Sequence, residues 1–184
     1  MSEGQVVGLI SPAVPVVPPA ELRWYAIRSR SRHEKVVAKQ LENQGLQVFL
    51  PLVTEIRRWS DRNKEVELPL FPGYAFVRVA YFSSDRLRVL RAFGVSGFVG
   101  PGTAATPIPD EQIDGIRTLI TSNVPFKEYP YLSVGQRVRV RSGSLSGLEG
   151  ILAAVNGSRH LVISVEPIER SLSIRLEGYD IEAI

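Results

Sequence analysis

Catalytic and metal-binding chemistry has few residues to work with in this chain. The 184 residues include no cysteine and only two histidines, His33 and His160. Neither histidine stands at a spacing from acidic residues that predicts a metal site or an acid–base pair. The stretch Gly143 to Gly147 has the outer glycines of a nucleophile elbow, but its central residue is leucine. We therefore expect no enzyme activity, no metal and no cofactor.

The residue chemistry that the sequence does offer is contact with a polyanion. Six basic residues lie between Arg23 and Lys39, opposed only by Glu34. Such a patch fits phosphate binding. The alternative interpretation is a solvated helix face, and charge alone would favour that alternative. Ser31 is a candidate helix cap with Glu34 at capping-box spacing, and the helix is expected to end at Gly45. On it Arg32, Lys35 and Lys39 are predicted to form one outward basic stripe.

Aromatic side chains are the second feature that calls for an explanation. The stretch LFPGYAFVRV, residues 70–79, places Phe71, Tyr74 and Phe76 within six positions. Core packing would account for them, and so would a docking face for another protein. Strand alternation puts Tyr74 and Phe76 on one face and small aliphatic residues, from Ala75 to Val79, on the other.

The first part of the chain is predicted to alternate strands and helices in the order β-α-β-β-α-β-α. Strands are expected at 24–29, 48–53, 74–79 and 95–99, and helices at 31–45, from Ser83 or Ser84 to Gly94, and at 110–122. The charged stretch from Thr54 to Pro69 is expected to be a protruding hairpin or a long loop. This order is the ferredoxin-like pattern, whose helices cover one face of the sheet and leave the other open. The open face would then carry an exposed aromatic patch, which usually marks an interface. Its expected members are Trp24, Ala26, Arg28, Tyr74, Phe76 and Phe98.

The second part of the chain is predicted to be a small β-barrel. Five short β-rich runs, separated by glycine turns, follow a proline-containing stretch without a clear period. They are expected at 136–141, 149–154, 161–165, 171–176 and 179–184. The resulting division is a disordered proline-rich leader at 1–22, a first domain at 23–123, a linker at 124–132 and a barrel at 133–184. The apolar runs are shorter than the ~20 residues that a membrane span needs, which together with the lack of cysteine fits the cytoplasm.

Four motifs, in a fixed order, resemble one known family. VGQRVRVRSGSLSGLEGILAAV, residues 134–155, resembles a KOW motif, with turn glycines at Gly143, Gly147 and Gly150. The motifs RWYAIRS, LFPGYAFV and GVSGFVG resemble the N-terminal domain of NusG-type transcription factors. The hairpin region is most similar to the specialised paralogues, the RfaH and UpxY-like antiterminators. The resemblance implies an α+β fold, a ferredoxin-like domain followed by an SH3-like KOW barrel.

The resemblance also implies three partners: RNA polymerase, the exposed non-template DNA strand, and a further protein bound by the KOW domain. Family members dock the open face on the clamp helices of the largest polymerase subunit, and the matching positions here are Phe71, Pro72, Gly73, Tyr74, Phe76 and Phe98. Specialised members touch non-template DNA through the first helix and its preceding loop, which here carry Arg30, Arg32, His33, Lys35 and Lys39. Family members also contact the opposite jaw of the polymerase cleft from the start of the second helix. Here Asp85, Arg86 and Leu87 do not reproduce the His-Thr-Thr of RfaH at that position, so the resemblance does not extend to this contact.

The KOW barrel is expected to recruit Rho or a small-subunit ribosomal protein, and the factor is expected to be a monomer. RfaH hides its polymerase face under a C-terminal domain refolded as a helical hairpin. Here the glycines and the period-two alternation of residues 136–141 predict a β-barrel that is tethered and not docked on the open face. The remaining alternative is a general RNA-binding or ribosome-associated KOW protein, which would explain the charge but not the aromatic face.

Overall fold

The structure is a computed structural model that describes residues 21–58, 63–102, 104–132, 135–155 and 157–184. Residues 1–20 of the predicted leader lie outside these ranges, and so does Trp59 of the predicted hairpin. The strands are β1 (Arg23–Ser29), β2 (Gln47–Phe49), β3 (Leu52–Arg58), β4 (Asn63–Pro69), β5 (Tyr74–Val79), β6 (Val95–Phe98), β7 (Pro107–Ile108), β8 (Phe126–Tyr129), β9 (Arg137–Val140), β10 (Glu149–Val155), β11 (Ser158–Val165), β12 (Arg170–Arg175) and β13 (Ile181–Ala183). The helices are α1 (Glu34–Asn43), α2 (Ser84–Arg91) and α3 (Asp110–Thr121), with a 3-10 turn at Glu166–Ile168.

The N-terminal sheet has the order β2-β5-β1-β6, with β7 also paired to β1. This confirms the predicted alternation of strands and helices, with the antiparallel β3–β4 hairpin inserted before β5. The single strand expected at 48–53 is wrong, because β2 ends at Phe49 and β3 begins at Leu52. Pro51 lies at the break, and a proline has no N–H to donate to a strand ladder.

One face of the N-terminal sheet packs on α1 and α2. Its buried strand residues, Tyr25, Ile27, Ala75, Val77 and Val79, form one cluster with Val37, Leu41 and Val89 from the two helices. The prediction that the small aliphatic residues of β5 lie under helices is therefore confirmed. Strand alternation alone was enough to assign them, because both neighbours of each residue along the strand point the other way.

The opposite face is covered by α3 and is not open. Trp24, Ala26 and Phe76 belong to a cluster that includes Ile113, Ile116 and Leu119 of α3, all fully or almost fully buried. The expectation that the helices leave this face open is therefore wrong. The apolar stripe of α3 must be buried somewhere, and the aromatic surface of β1 and β5 is the apolar area it reaches.

The C-terminal β domain is a six-stranded antiparallel sheet in the order β13-β9-β10-β11-β12-β8. The five predicted strands are confirmed, with β13 shorter than expected. The sixth strand, β8, comes from the segment expected to be a linker, where Phe126 pairs with Ile174 and packs on the domain core. Two prolines around this short strand masked its period, so the linker expectation is wrong there.

The glycines of the KOW-like stretch have two different roles. Gly143 and Gly147 have φ angles of 85° and 83°, in the left-handed region that favours glycine, which fits the expected turns. Gly150 lies within β10, where an added Cβ atom would come within 2.5 Å of the Val162 carbonyl oxygen. Its role is to leave room for the neighbouring strand.

The C-terminal domain packs against α3. An added Cβ at Gly115 would lie 3.4 Å from Leu148 and 3.6 Å from Ile163, so the helix backbone approaches the β domain closely. The Gln112 side-chain oxygen also accepts a hydrogen bond from the backbone N–H of Glu166, at 3.3 Å. The expectation of a β fold for this domain is confirmed, but the expectation that it is tethered and undocked is wrong.

Candidate interaction surfaces

Five rings of the N-terminal sheet and its loops form the aromatic face, defined as Trp24, Phe49, Phe71, Tyr74 and Phe76. Phe76 lies at its centre, with ring centroids 6.0 Å from Phe49 and 6.1 Å from Phe71. Trp24 meets Phe49 edge-on at 6.5 Å. The exposed fractions of Trp24, Phe71 and Phe76 are 2%, 4% and 0%. Those three rings are therefore core in this conformation, and only Tyr74 and Phe49 reach the surface in part.

Helix α3 closes part of the aromatic face with a cation. The Arg117 guanidinium lies 5.1 Å from the Trp24 ring centroid and 4.9 Å from that of Phe49. Asp114, one turn earlier, holds the same guanidinium through a 2.9 Å ion pair. A guanidinium over two aromatic rings is attractive, and its methylene stem adds to the apolar cover.

Tyr74 lies at a crevice between the N-terminal sheet and the C-terminal domain. The crevice has a volume of about 520 Å³ and is lined on one side by Arg28, Tyr74 and residues 99–101, and on the other by residues 166–169. The Arg28 guanidinium lies 6.0 Å from the Tyr74 ring centroid. Of the predicted docking residues, Pro72 is exposed and Gly73 and Tyr74 are half-buried. With the C-terminal domain in this position, a partner can therefore reach only the edge of the aromatic face.

The Pro-Gly turn before β5 is held by a carboxylate on α1. Gly73 has a φ of 84°, and its N–H donates to Glu34 Oε1 at 2.7 Å. Glu34 is only 6% exposed, and the neighbouring Gly73 carbonyl accepts from Ser29 at 2.9 Å. The capping-box expectation is therefore wrong: the helix cap is His33, without a side-chain cap bond, and the carboxylate binds another loop. Sequence spacing alone could not separate these two uses of Glu34.

Phe98 does not belong to the aromatic face. It pairs directly with Ile27, whose side chain points toward α1, and its ring contacts Tyr25 at 6.0 Å and Tyr81 at 5.2 Å. The expectation that Phe98 shares a face with Trp24 and Phe76 is wrong. The register that pairs β6 with β1 decides which face Phe98 lies on, and this register is not visible in the sequence.

The residues predicted to contact DNA lie on α1 and the loop before it, and form what we call the basic edge, defined as Arg30, Arg32, His33, Lys35 and Lys39. All are exposed except His33, which is half-buried. The predicted helical stripe is only partly correct, because Arg32 precedes the helix and has a φ of 61°. Lys35 lies 3.5 Å from the Glu67 carboxylate on β4, so part of its charge is already balanced.

Phe93 joins this edge from the end of α2. Of the apolar residues that the sequence places in or next to α2, Leu87 is 50% exposed and Phe93 62% exposed. Val89 and Ala92 are buried instead. The Phe93 ring centroid lies 5.7 Å from the Arg30 guanidinium and 5.6 Å from the His33 ring. Sequence reasoning missed this residue because a phenylalanine in a helical pattern is usually core.

Two absences among the described residues bear on function. No group of three histidine, cysteine, aspartate or glutamate side chains in these ranges is arranged to hold a metal ion. Within the same ranges, no helix has the length and apolar character to cross a membrane.

Comparison with known sequences and structures assigns the fold to a family. The family described as transcription termination factor NusG matches residues 22–117, just over half of the 184-residue chain. The chain therefore belongs to the NusG family. Its expected specialised-paralogue character, RfaH-like or UpxY-like, stays a prediction.

Similar proteins cover nearly the whole chain. The transcription termination/antitermination protein NusG of Lactococcus lactis is 29% identical over 174 residues, covering 88% of this chain and 92% of that protein. The protein of the same name from Pseudomonas aeruginosa is 26% identical, with 88% and 98% covered. A solved structure of Thermotoga maritima NusG is 24% identical, with 89% of this chain and 98% of that chain covered and a TM-score of 0.48.

Proposed function

We propose that this chain is a transcription elongation or antitermination factor that binds RNA polymerase through the edge of its aromatic face. The docking residues are Tyr74, Pro72 and Gly73, with Phe71 and Phe76 forming the buried floor beneath them. Phe98 is left out, because it lies on the opposite face of the sheet. The proposed target is the pair of clamp helices of the largest polymerase subunit, and the proposed compartment is the cytoplasm.

The observation that carries the proposal is the way the Pro-Gly turn is built. A left-handed glycine, a buried carboxylate and a supporting aromatic floor fix Tyr74 at the crevice. A partly exposed aromatic ring on a rigid support can serve as an interface anchor, because little conformational entropy is lost on binding.

We propose that docking competes with the C-terminal domain. Residues 166–169 of that domain line the same crevice as Tyr74, so a polymerase helix entering there displaces them. The interaction between the domains therefore lowers polymerase affinity by the free energy needed to open the crevice. Once released, the C-terminal domain is free to recruit a partner such as Rho or a small-subunit ribosomal protein.

The second proposed contact is with the non-template DNA strand through the basic edge. This surface lies on the α1 side of the sheet, away from α3 and the C-terminal domain, so docking of that domain leaves it accessible. Its positive charge would bind backbone phosphates with release of counterions.

A general RNA-binding or ribosome-associated role finds less support in the C-terminal domain. The arginines of β9 and its end would be the natural cations for such a role, but they are paired. Arg137 and Arg139 lie 3.2 Å and 2.6 Å from Glu149, and Arg141 lies 3.9 Å from Glu182. Their charge is thus largely compensated within the sheet.

A pull-down with purified RNA polymerase and with ribosomal subunits tests the proposal. Tyr74→Ala should weaken polymerase binding by roughly 1–3 kcal/mol, as for an aromatic interface anchor. Tyr131→Ala is the matched control, since Tyr131 is 38% exposed on the C-terminal side of the chain and should bind normally. Equal polymerase binding by both variants, or preferential binding to ribosomal subunits, would overturn the docking proposal.

A further inference from the structure

We propose that Phe93 is a stacking surface for one unpaired base of single-stranded DNA, flanked by Arg30 and His33. The inference rests on the proposed DNA contact of the basic edge and names what that edge selects. It adds a residue that none of the sequence motifs pointed to, and it gives the surface a preference for single strands over duplex.

The first argument is the exposure of the ring. Phe93 is 62% exposed, whereas Ala92 before it is 4% exposed and Gly94 after it is buried. The backbone on both sides is thus anchored in the protein while the side chain projects from it. A phenylalanine so displayed adds little to the core, but every nucleic acid base has a flat face that stacks on such a ring.

The second argument is that the Phe93 ring lies beside Arg30 and His33. The Arg30 guanidinium lies 5.7 Å from its centroid and the His33 ring 5.6 Å, at an interplanar angle of 61°. Arginine, histidine and phenylalanine are the planar groups that pack on bases, and a nearby guanidinium also attracts the phosphate of the same nucleotide. Lys35 and Lys39 continue the positive surface along α1.

The third argument is that the backbone carrying the three residues is held in place before any ligand arrives. The Phe93 N–H donates to Gln40 Oε1 at 3.1 Å, and the Arg30 N–H donates to the Gly94 carbonyl at 2.7 Å. Gly94 has a φ of 93°, and an added Cβ would lie 3.1 Å from both His33 and Val37. The end of α2 and the start of α1 therefore lock together, and stacking costs little ordering entropy.

His33 is oriented by its own backbone contact. Its Nδ1 lies 2.8 Å from the Ser31 carbonyl oxygen, and a carbonyl only accepts, so Nδ1 carries the hydrogen. The Nε2 atom is then the nitrogen that can accept a hydrogen bond from a base edge. In duplex DNA the base faces are stacked on each other, so this arrangement favours a single strand.

The test uses the full-length protein and three labelled probes, with affinity measured by fluorescence anisotropy. The probes are a 20-mer of thymidine, the corresponding duplex, and a 20-mer of abasic sugar-phosphates that keeps the charge but lacks bases. Phe93→Ala should weaken binding to the thymidine strand by roughly 5- to 150-fold, the range for one stacked base. Its affinity for the abasic strand and for the duplex should stay unchanged.

Three further variants sharpen the test. Phe93→Tyr keeps a flat ring and should retain binding. Phe82→Ala is the matched control, since Phe82 is 96% exposed at the other end of α2 and should bind within about twofold of the parent. In Phe93→Trp, emission from the new indole should fall on addition of the thymidine strand but not of the abasic strand.

The outcomes separate this inference from the proposed function. If Phe93→Ala binds thymidine normally while Lys35→Gln with Lys39→Gln loses affinity, the stacking inference is wrong and the DNA contact stands. If the parent protein binds none of the probes, the DNA contact itself fails and the inference with it.

Discussion

The two faces of the N-terminal sheet are built from the same strands but meet different surroundings. On the α1–α2 face, small and β-branched residues lie under two helices that belong to the same domain. On the other face, large aromatic rings lie under α3, which in turn contacts the C-terminal domain. The first face is a closed core, while the second is a core shared between two parts of the chain.

This difference separates the two proposed contacts. The polymerase contact uses the edge of the shared core and depends on where the C-terminal domain lies. The DNA contact uses the basic edge, which is accessible whether or not that domain is docked. The two activities should therefore respond differently to substitutions and to restraint of the C-terminal domain.

The largest effect is expected from the centre of the aromatic face. Phe76→Ala should lower the free energy of unfolding by about 3–5 kcal/mol, because it removes a fully buried ring and leaves a cavity. Tyr74→Ala, at the half-buried rim, should cost roughly 1 kcal/mol. Urea denaturation of both variants measures the difference. A Phe76→Ala protein as stable as its parent would mean that α3 does not pack on this face.

The next largest effect is expected on DNA affinity. Replacing Arg32, Lys35 and Lys39 by glutamine should weaken binding of a single strand about 10- to 100-fold at 0.1 M salt, and should reduce the salt slope by about 2. The control replaces Lys127, Arg159 and Arg170, three exposed cations of the C-terminal domain, which should leave affinity unchanged. Equal losses of DNA affinity in the two triple variants would mean that binding depends on overall charge and not on the basic edge.

A smaller effect is expected where α1 holds the Pro-Gly turn. Glu34→Ala removes the acceptor of the Gly73 N–H and should lower the unfolding free energy by about 1–3 kcal/mol. Ser31→Ala should change it by less than about 0.5 kcal/mol, because Ser31 does not cap the helix. Thermal denaturation of both variants decides between this contact and a capping box, which would make Ser31 the more sensitive position.

The smallest effect concerns pH and the closed face. Burial raises the pKa of Tyr25, whose ring packs against Tyr81 and Phe98. A raised folded-state pKa stabilises the fold below the unfolded value of about 10, and that contribution is lost as pH rises above it. Tyr25→Phe lacks the ionisable group, so its stability should fall less steeply than that of the parent above pH 10. Parallel curves for the two proteins, from denaturation at a series of alkaline pH values, would contradict this.

Local patterns predicted the elements well, because they depend on residues close together in the chain. Alternation in β5 separated Ala75, Val77 and Val79 from Phe76, and the glycines at 143 and 147 indicated their turns. The spacing of Ile113, Ile116 and Ile120 also predicts an apolar side on α3. Which sheet face it covers depends on the connection through β7, and helix periodicity carries no information about that.

The parts that could not be predicted depend on contacts between distant residues. The face on which Phe98 lies follows from its pairing with Ile27, and the register of β6 on β1 is not visible in the sequence. Glu34 was interpreted through its nearest serine, while its partner is 39 residues away. The exposure of Phe93 has no signal in the sequence, because helix periodicity carries no information about how a helix ends. Docking of the C-terminal domain has no local signal at all.

Restraining the two domains tests the central claim most directly. Gln112 and Glu166 are in contact across the two domains, so Gln112→Cys and Glu166→Cys can be joined by a short reducible crosslinker. The chain has no cysteine of its own, so the crosslinker meets no other thiol. The crosslinked protein should lose RNA polymerase binding, keep its affinity for single-stranded DNA, and regain polymerase binding when the link is reduced. The single-cysteine variants, treated in the same way, should bind both. Polymerase binding by the crosslinked protein with undiminished affinity would contradict the claim that polymerase docks at the crevice beside Tyr74.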